Sequence, residues 1–231
     1  MNSPSSTRIG IAALAAAALL VGAAAVALAN VVVYNNGFSK RPDVRQLSKA
    51  DGGKQCKRGL VRRKKGSRMR VVATKGPVTC AFRPPVEGDG ELPNHIFRVD
   101  GRISKGIPKG TRASAHIFAR VRAGGGTGYE LRVHPRGGRF ELRRNPESRA
   151  FPVEGRNEAI NGFGKRNRVR LSAIGGDVRA SVNGEHLATV TDGNPGAVSG
   201  ARLHFGIGHE RSTSRNLSAA FTRLRVAVPA P

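Results

Sequence analysis

Three residue types in this 231-residue chain could do chemistry: histidines, carboxylates and a large number of arginines. The six histidines (95, 116, 134, 186, 204 and 209) show no H-E-x-x-H or other ligand spacing. No G-x-S-x-G marks a nucleophile. Glu87-Gly88-Asp89-Gly90-Glu91 spells E-x-D-x-E. On a strand, such carboxylates share one face and could act as acid and nucleophile on a glycosidic bond. Here glycines alternate with them, Pro84 and Pro85 precede and Pro93 follows, so the stretch reads as an acidic loop. Asp100, Asp177 and Asp192 could approach calcium, but no loop spacing unites them, and no metal or cofactor is expected.

The arginines carry the stronger signal. Over 114–122 and 128–144 the side chains alternate with the period of half-buried strands. Ala115, Ile117, Ala119, Val121, Tyr129, Leu131, Val133, Phe140 and Leu142 form the apolar set. His116, Phe118, Arg120, Arg122, Glu130, Arg132, His134, Arg139, Glu141 and Arg143 form the other. A turn centred on Arg136-Gly137 places Arg132 opposite Glu141 and Glu130 opposite Arg143. His116, Arg120, Arg122, Arg132, His134 and Arg143 are therefore candidate ligand-binding residues for an anionic or polyhydroxylated molecule. The plainer alternative is a solvent-facing sheet laced with cross-strand ion pairs.

Charge bounds the partners. Lysine plus arginine number 40 against 15 acids, a formal net charge of +25. Such a field attracts polyanions: nucleic acid, anionic headgroups or acidic polymers. Arginine (30) outnumbers lysine (10), which a GC-rich coding sequence would also produce. Recognition helices, RNP-like aromatics and zinc modules are absent, so nucleic acid is disfavoured. A second basic patch lies in 54–75, where Arg62, Arg63, Lys64, Lys65 and Arg68 surround a turn. It reads as an anion patch or as a solvated hairpin edge, where lysines discourage edge-to-edge pairing.

Residues 9–29 form an uninterrupted apolar run, long enough to span a bilayer. Ala27-Leu28-Ala29 also fits a signal-peptidase site, so the run is a cleaved signal or an anchoring hydrophobic helix. Positive-inside counting conflicts with export, because Lys40, Arg41, Arg45 and Lys49 follow the run. Export is nevertheless expected, on the strength of the cleavage site, the cysteine pair and the fold. In an exported chain Cys56 and Cys80 would close a disulfide loop of about 25 residues, worth roughly 3 kcal/mol. In a reducing compartment they would be two thiols; half of a metal site is disfavoured without a CxxC.

These residues need a frame, and the clearest piece of it is 167–192. Gly175-Gly176 and Asn183-Gly184 are two-residue hairpin signals between alternating strands. Counting outward places Val169 opposite Val182, Leu171 opposite Ala180, Ala173 opposite Val178, and Ala180 opposite Leu187. About ten strands and no amphipathic helix beyond residue 30 predict an all-β sandwich. The expected division is 1–29 signal or anchor, 30–53 lead-in, and 54–231 sandwich domain.

The string N-R-V-R-L-S-A-I-G-G-D-V-R-A-S-V-N-G-E-H-L-A-T-V-T-D, then G-A-R-L-H-F-G-I-G and A-F-T-R-L-R-V, resembles the closing strands of concanavalin A-like lectin/glucanase domains. The resemblance spans about 114–228 and is nearest to laminin G-like and 3-keto-disaccharide hydrolase-type domains of bacterial envelope proteins. Its marks are the Val182–Gly184 hairpin, Gly206, Gly208 and the closing strand. It implies a two-sheet antiparallel jelly roll with ligands on the concave face or rim. It carries over no catalytic residue, although E-x-D-x-E is the signature of family-16 glucanases of that fold. The expected function is a non-catalytic, exported module for a carbohydrate or anionic envelope polymer, with membrane contact through 9–29 if that run is retained. The alternatives are a glycoside hydrolase and an adhesion module held by the basic patch.

Overall fold

A computed structural model of the chain describes residues 30–62, 66–74, 77–86, 94–105, 107, 112–121, 127–198, 200, 202–209 and 216–230. The chain opens with β1 (Val31–Asn36), a short helix α1 (Arg41–Arg45) and β2 (Ser48–Lys49). The hairpin β3 (Cys56–Val61) and β4 (Arg68–Ala73) follows, then β5 (Val78–Arg83), β6 (His95–Ile103) and β7 (Ala113–Val121). Next come β8 (Gly128–His134), β9 (Arg139–Asn145) and β10 (Val153–Arg156). The meander β11 (Asn167–Ile174), β12 (Asp177–Val182) and β13 (Glu185–Thr191) precedes β14 (Arg202–His209) and β15 (Leu217–Val228).

Two antiparallel sheets result. One has the order β13-β12-β11-β6-β15-β4-β3, with β1 added on β15; the other runs β10-β9-β8-β7-β14-β5-β2. Alternation explains the layering: each strand turns every second side chain into the space between the sheets. Phe205 is the hub of that core, 5.1 Å between ring centroids from Phe221 and 6.2–6.4 Å from Phe38, Phe82 and Phe97. Phe38 and Leu47 are fully buried, so the lead-in packs into the core and adds a strand to each sheet. Cys56 and Cys80 are joined in a disulfide between β3 and β5, and so between the two sheets.

The register of the meander is the expected one for Val169–Val182, Leu171–Ala180 and Ala173–Val178. Beyond Ala180 it differs. A shift between Ala180 and Ser181 places Ala180 opposite Ala188, not Leu187. Such a bulge sets two residues against one and depends on the partner strand as much as on local pattern. The strands number more than the ten expected. The two-residue β2 and four-residue β10 are edge pieces too short to alternate visibly. The run 9–29, residues 87–91 and residues 63–65 lie outside the described residues. Arg62 is exposed and Arg68 opens β4.

Candidate functional site

Pairing across the seven-stranded sheet decides which side chains meet on its outer face. His116 pairs with Arg132 on one side and Gly206 on the other; Phe118 pairs with Glu130 and His204. Arg132 in turn pairs with Glu141, and Glu130 with Arg143, as expected from the turn. Phe118, Glu130, Arg132, Arg143 and His204 line a groove of about 640 Å³, together with Asp51, Ala81, Asn145 and Glu147 among others.

Two carboxylates organise this face. Glu130 accepts from His116 Nδ1 at 2.6 Å and lies 2.9 Å from Arg132 Nε. Ser114 Oγ sits 2.7 Å from the other imidazole nitrogen, so Ser114, His116 and Glu130 form a continuous hydrogen-bonded chain. Burial alone would raise the pKa of Glu130, but the bonds to His116 and Arg132 outweigh it and hold the carboxyl at about 2. Gly208 makes room for the imidazole: a Cβ there would meet His116 Nε2 at 2.7 Å. The second hub, Glu141, lies 2.8 Å from Arg143 and 3.3 Å from His134. Beside them Phe118 stacks on His116 at 5.9 Å and meets the His204 ring edge-on at 6.2 Å. Burial, then Arg83 and Arg202, push the pKa of His204 down to about 4, so it is neutral at pH 7. A smaller recess of about 230 Å³ adjoins, lined by Thr79, His116, Arg132 and His209 among others.

The structure brings His116, Arg132, His134 and Arg143 together as anticipated. It removes Arg120. Between His204–Phe118 and Arg202–Val121 the register shifts, giving β7 one extra residue, and Arg120 takes φ = 53°. The bulge reverses the alternation, so Arg120 points between the sheets and Val121 lines the groove. Arg120 donates to Gly175 O at 2.7 Å, reaching the β11–β12 turn of the opposite sheet, and lies 5.8 Å from the Tyr129 ring centroid. Gly128 permits this course, because a Cβ there would meet Ala119 O at 2.7 Å. Arg122 lies outside the described residues.

Two clusters were not anticipated. Ser114 was absent from the candidates, although Ser-x-His on one strand face and Glu-x-Arg on the next, at 114–116 and 130–132, are visible in the sequence. The other is interior. Asp192 accepts from Tyr129 Oη and Arg144 Nε at 2.6 Å each, and Arg144 also donates to Pro146 O and Asn194 O. Burial works against the Asp192 charge, but these donors and the Asn194 amide lower its pKa.

No protein-family model and no curated protein sequence matches the chain. Solved structures do match in shape. A protein of unknown function with a galectin-like fold from Bacillus subtilis superposes with a TM-score of 0.59 at 13% identity, covering 86% of this chain and 97% of that one. A carbohydrate esterase of a Shiga toxin-encoding bacteriophage gives 0.57 at 11%, covering 87% and 100%. A family 7 alginate lyase with bound substrate gives 0.53 at 14%, covering 74% and 82%. At these identities the likeness is one of fold. The chain has the fold of a two-sheet antiparallel jelly roll.

Proposed function

We propose that the groove on the seven-stranded sheet binds a carbohydrate, with acidic polysaccharides the favoured class, and that the protein acts as an exported binding module. One observation carries this reading: guanidiniums already held by carboxylates stand beside an aromatic ring in an open groove. Glu130 fixes Arg132 and Glu141 fixes Arg143, so little side-chain entropy is lost when a ligand arrives. Planar guanidiniums match carboxylates and paired hydroxyls. The Phe118 ring offers an apolar surface for the C–H face of a sugar. Fold neighbours that act on alginate or carbohydrate esters support the ligand class without fixing it. The disulfide supports export, since such bonds persist in oxidising compartments.

Calorimetric titration with alginate and with a neutral glucan tests the reading. The Arg132→Ala, Arg143→Ala double variant should lose at least about tenfold in affinity for alginate, as expected for two charged hydrogen-bonding groups. Unchanged affinity in the double variant, or no binding of either polymer by the parent, would overturn it.

The Ser114–His116–Glu130 chain favours a second reading, catalysis, because its order is nucleophile, base and orienting acid. Ser114 is fully buried, which argues against attack by its hydroxyl and leaves His116 as the candidate base. Chain cleavage of a bound polysaccharide, abolished by His116→Asn with binding retained, would establish this reading over the first.

A further inference from the structure

The outer face of the other sheet is charged in a different way. Strands β4, β6, β11, β12 and β15 carry nine arginines (68, 70, 98, 102, 168, 170, 179, 223, 225) against Asp100 and Asp177. All nine alternate with buried core residues and so face outward. Register stacks them: Arg170 lies opposite Arg98, and Arg98 opposite Arg225. Like charges directly opposite in a sheet are destabilising. Asp100 pairs with Arg98 and Arg168, at 3.6 and 3.3 Å, and stands opposite Arg223 in the register without an ion pair among the described residues. Arg102, Arg170, Arg223 and Arg225 make no ion pair among the described residues. The guanidinium of Arg98 has its pKa lowered by burial and by Arg168, Arg225 and Arg223, against the pull of Asp100. The fold thus maintains a repulsive array that a polyanionic surface would relieve.

The neighbouring register row is apolar at its β1 end, before it continues to Ser172 and Arg179. Val32 pairs with Ala227, and Ala227 with Ile96. Val31, Val32, Val33 and Ile174 are the exposed large hydrophobics of the described residues, at 50%, 40%, 43% and 39%. A soluble polyanion has no use for this row, whereas a bilayer interface accepts apolar side chains beside cations. Position argues the same way. β1 starts two residues after the apolar run 9–29 and pairs with β15, which carries Arg223 and Arg225.

We propose that the arginine face of the eight-stranded sheet, with Val32 and Ile174 at its margin, docks on anionic lipid headgroups. This site lies on the sheet opposite the groove and does not depend on the groove's ligand.

Vesicle co-sedimentation of the full chain tests it, using phosphatidylcholine alone and phosphatidylcholine mixed with phosphatidylglycerol. Arg170→Gln, Arg223→Gln, Arg225→Gln should lower affinity for the phosphatidylglycerol vesicles by about 100-fold, at the strength of surface cations near anionic lipid. Its binding to pure phosphatidylcholine should stay at the parent level, and matching thermal melts should show an intact fold. The control Arg45→Gln, Arg149→Gln, Arg166→Gln removes the same charge elsewhere and should stay within a few-fold of the parent. The proposal fails if both triple variants weaken equally, or if the first keeps its phosphatidylglycerol affinity. It also fails if the first variant loses binding to soluble alginate while keeping the vesicles, which would make the face a polymer site.

Discussion

Asp192 accepts from Tyr129 and Arg144 at 2.6 Å each, and Glu130 accepts from His116 at 2.6 Å with Arg132 at 2.9 Å. Both are carboxylates on an arginine with their pKa pulled below the ordinary range. They differ in where the donors come from. Asp192 follows β13 of one sheet, while Tyr129 and Arg144 belong to the other, so the cluster bolts the sandwich together. Arg144 also donates to Pro146 O and Asn194 O, so it is fixed from three directions although it borders the groove. Glu130 takes its partners from β7 and β8 of one sheet and faces a groove. The same chemistry therefore holds the fold in one place and presents a surface in the other.

Breaking the bolt should have the largest effect. Asp192→Ala leaves Arg144 buried and uncompensated, a loss of about 3–5 kcal/mol. At this size a melt should drop by roughly 10 °C. The groove variant Arg132→Ala, Arg143→Ala should melt close to the parent; a comparable drop would erase the distinction between the two clusters.

Cys56→Ser, Cys80→Ser should cost about 3 kcal/mol in chemical denaturation, from the loop it releases. Glycan affinity should be unaffected, because the bond lies in neither cluster.

Acid titration separates the groove groups by window. The folded pKa of Glu130 (about 2) is below its ordinary 4.5, so its contribution is complete above pH 4.5 and is lost as pH falls toward 2. That amounts to roughly 3 kcal/mol. The folded pKa of His204 (about 4) is also below its ordinary 6.5, so stability it contributes is complete above 6.5 and is lost as pH falls toward 4. Denaturant melts across pH should show Glu130→Gln flattening the lower window and His204→Gln the upper one. Identical curves for either variant and the parent would contradict the assignment.

Arg120→Ala should have the smallest effect, about 1–3 kcal/mol for the lost bond to Gly175 O. It should leave glycan binding unchanged. A binding loss matching that of the groove variant would return Arg120 to the outer face.

The sheets were legible in the sequence wherever period-2 alternation continued unbroken. Val169, Leu171 and Ala173 specify their own partners, because a one-residue slip would expose all three. Arg120 was not legible: the bulge that turns it inward is set by pairing with β14, some 80 residues away in the chain. The Leu187 register failed for the same reason, one bulge along the meander. Glu130 and Arg132 were visible as a face, but their closure onto Ser114 and His116 requires the β7–β8 register. The Tyr129–Asp192 bond, 63 residues apart, has no local signal. The arginine ladder likewise exists only after β11, β6 and β15 are laid side by side.

The central claim is that ligand binding belongs to the outward cluster and stability to the inward one. Titrating alginate into the parent, into Arg132→Ala, Arg143→Ala and into Arg120→Ala tests it most directly. The account predicts binding by the parent and by Arg120→Ala, with a loss of at least about tenfold confined to the groove variant. Equal affinity across all three proteins would contradict it.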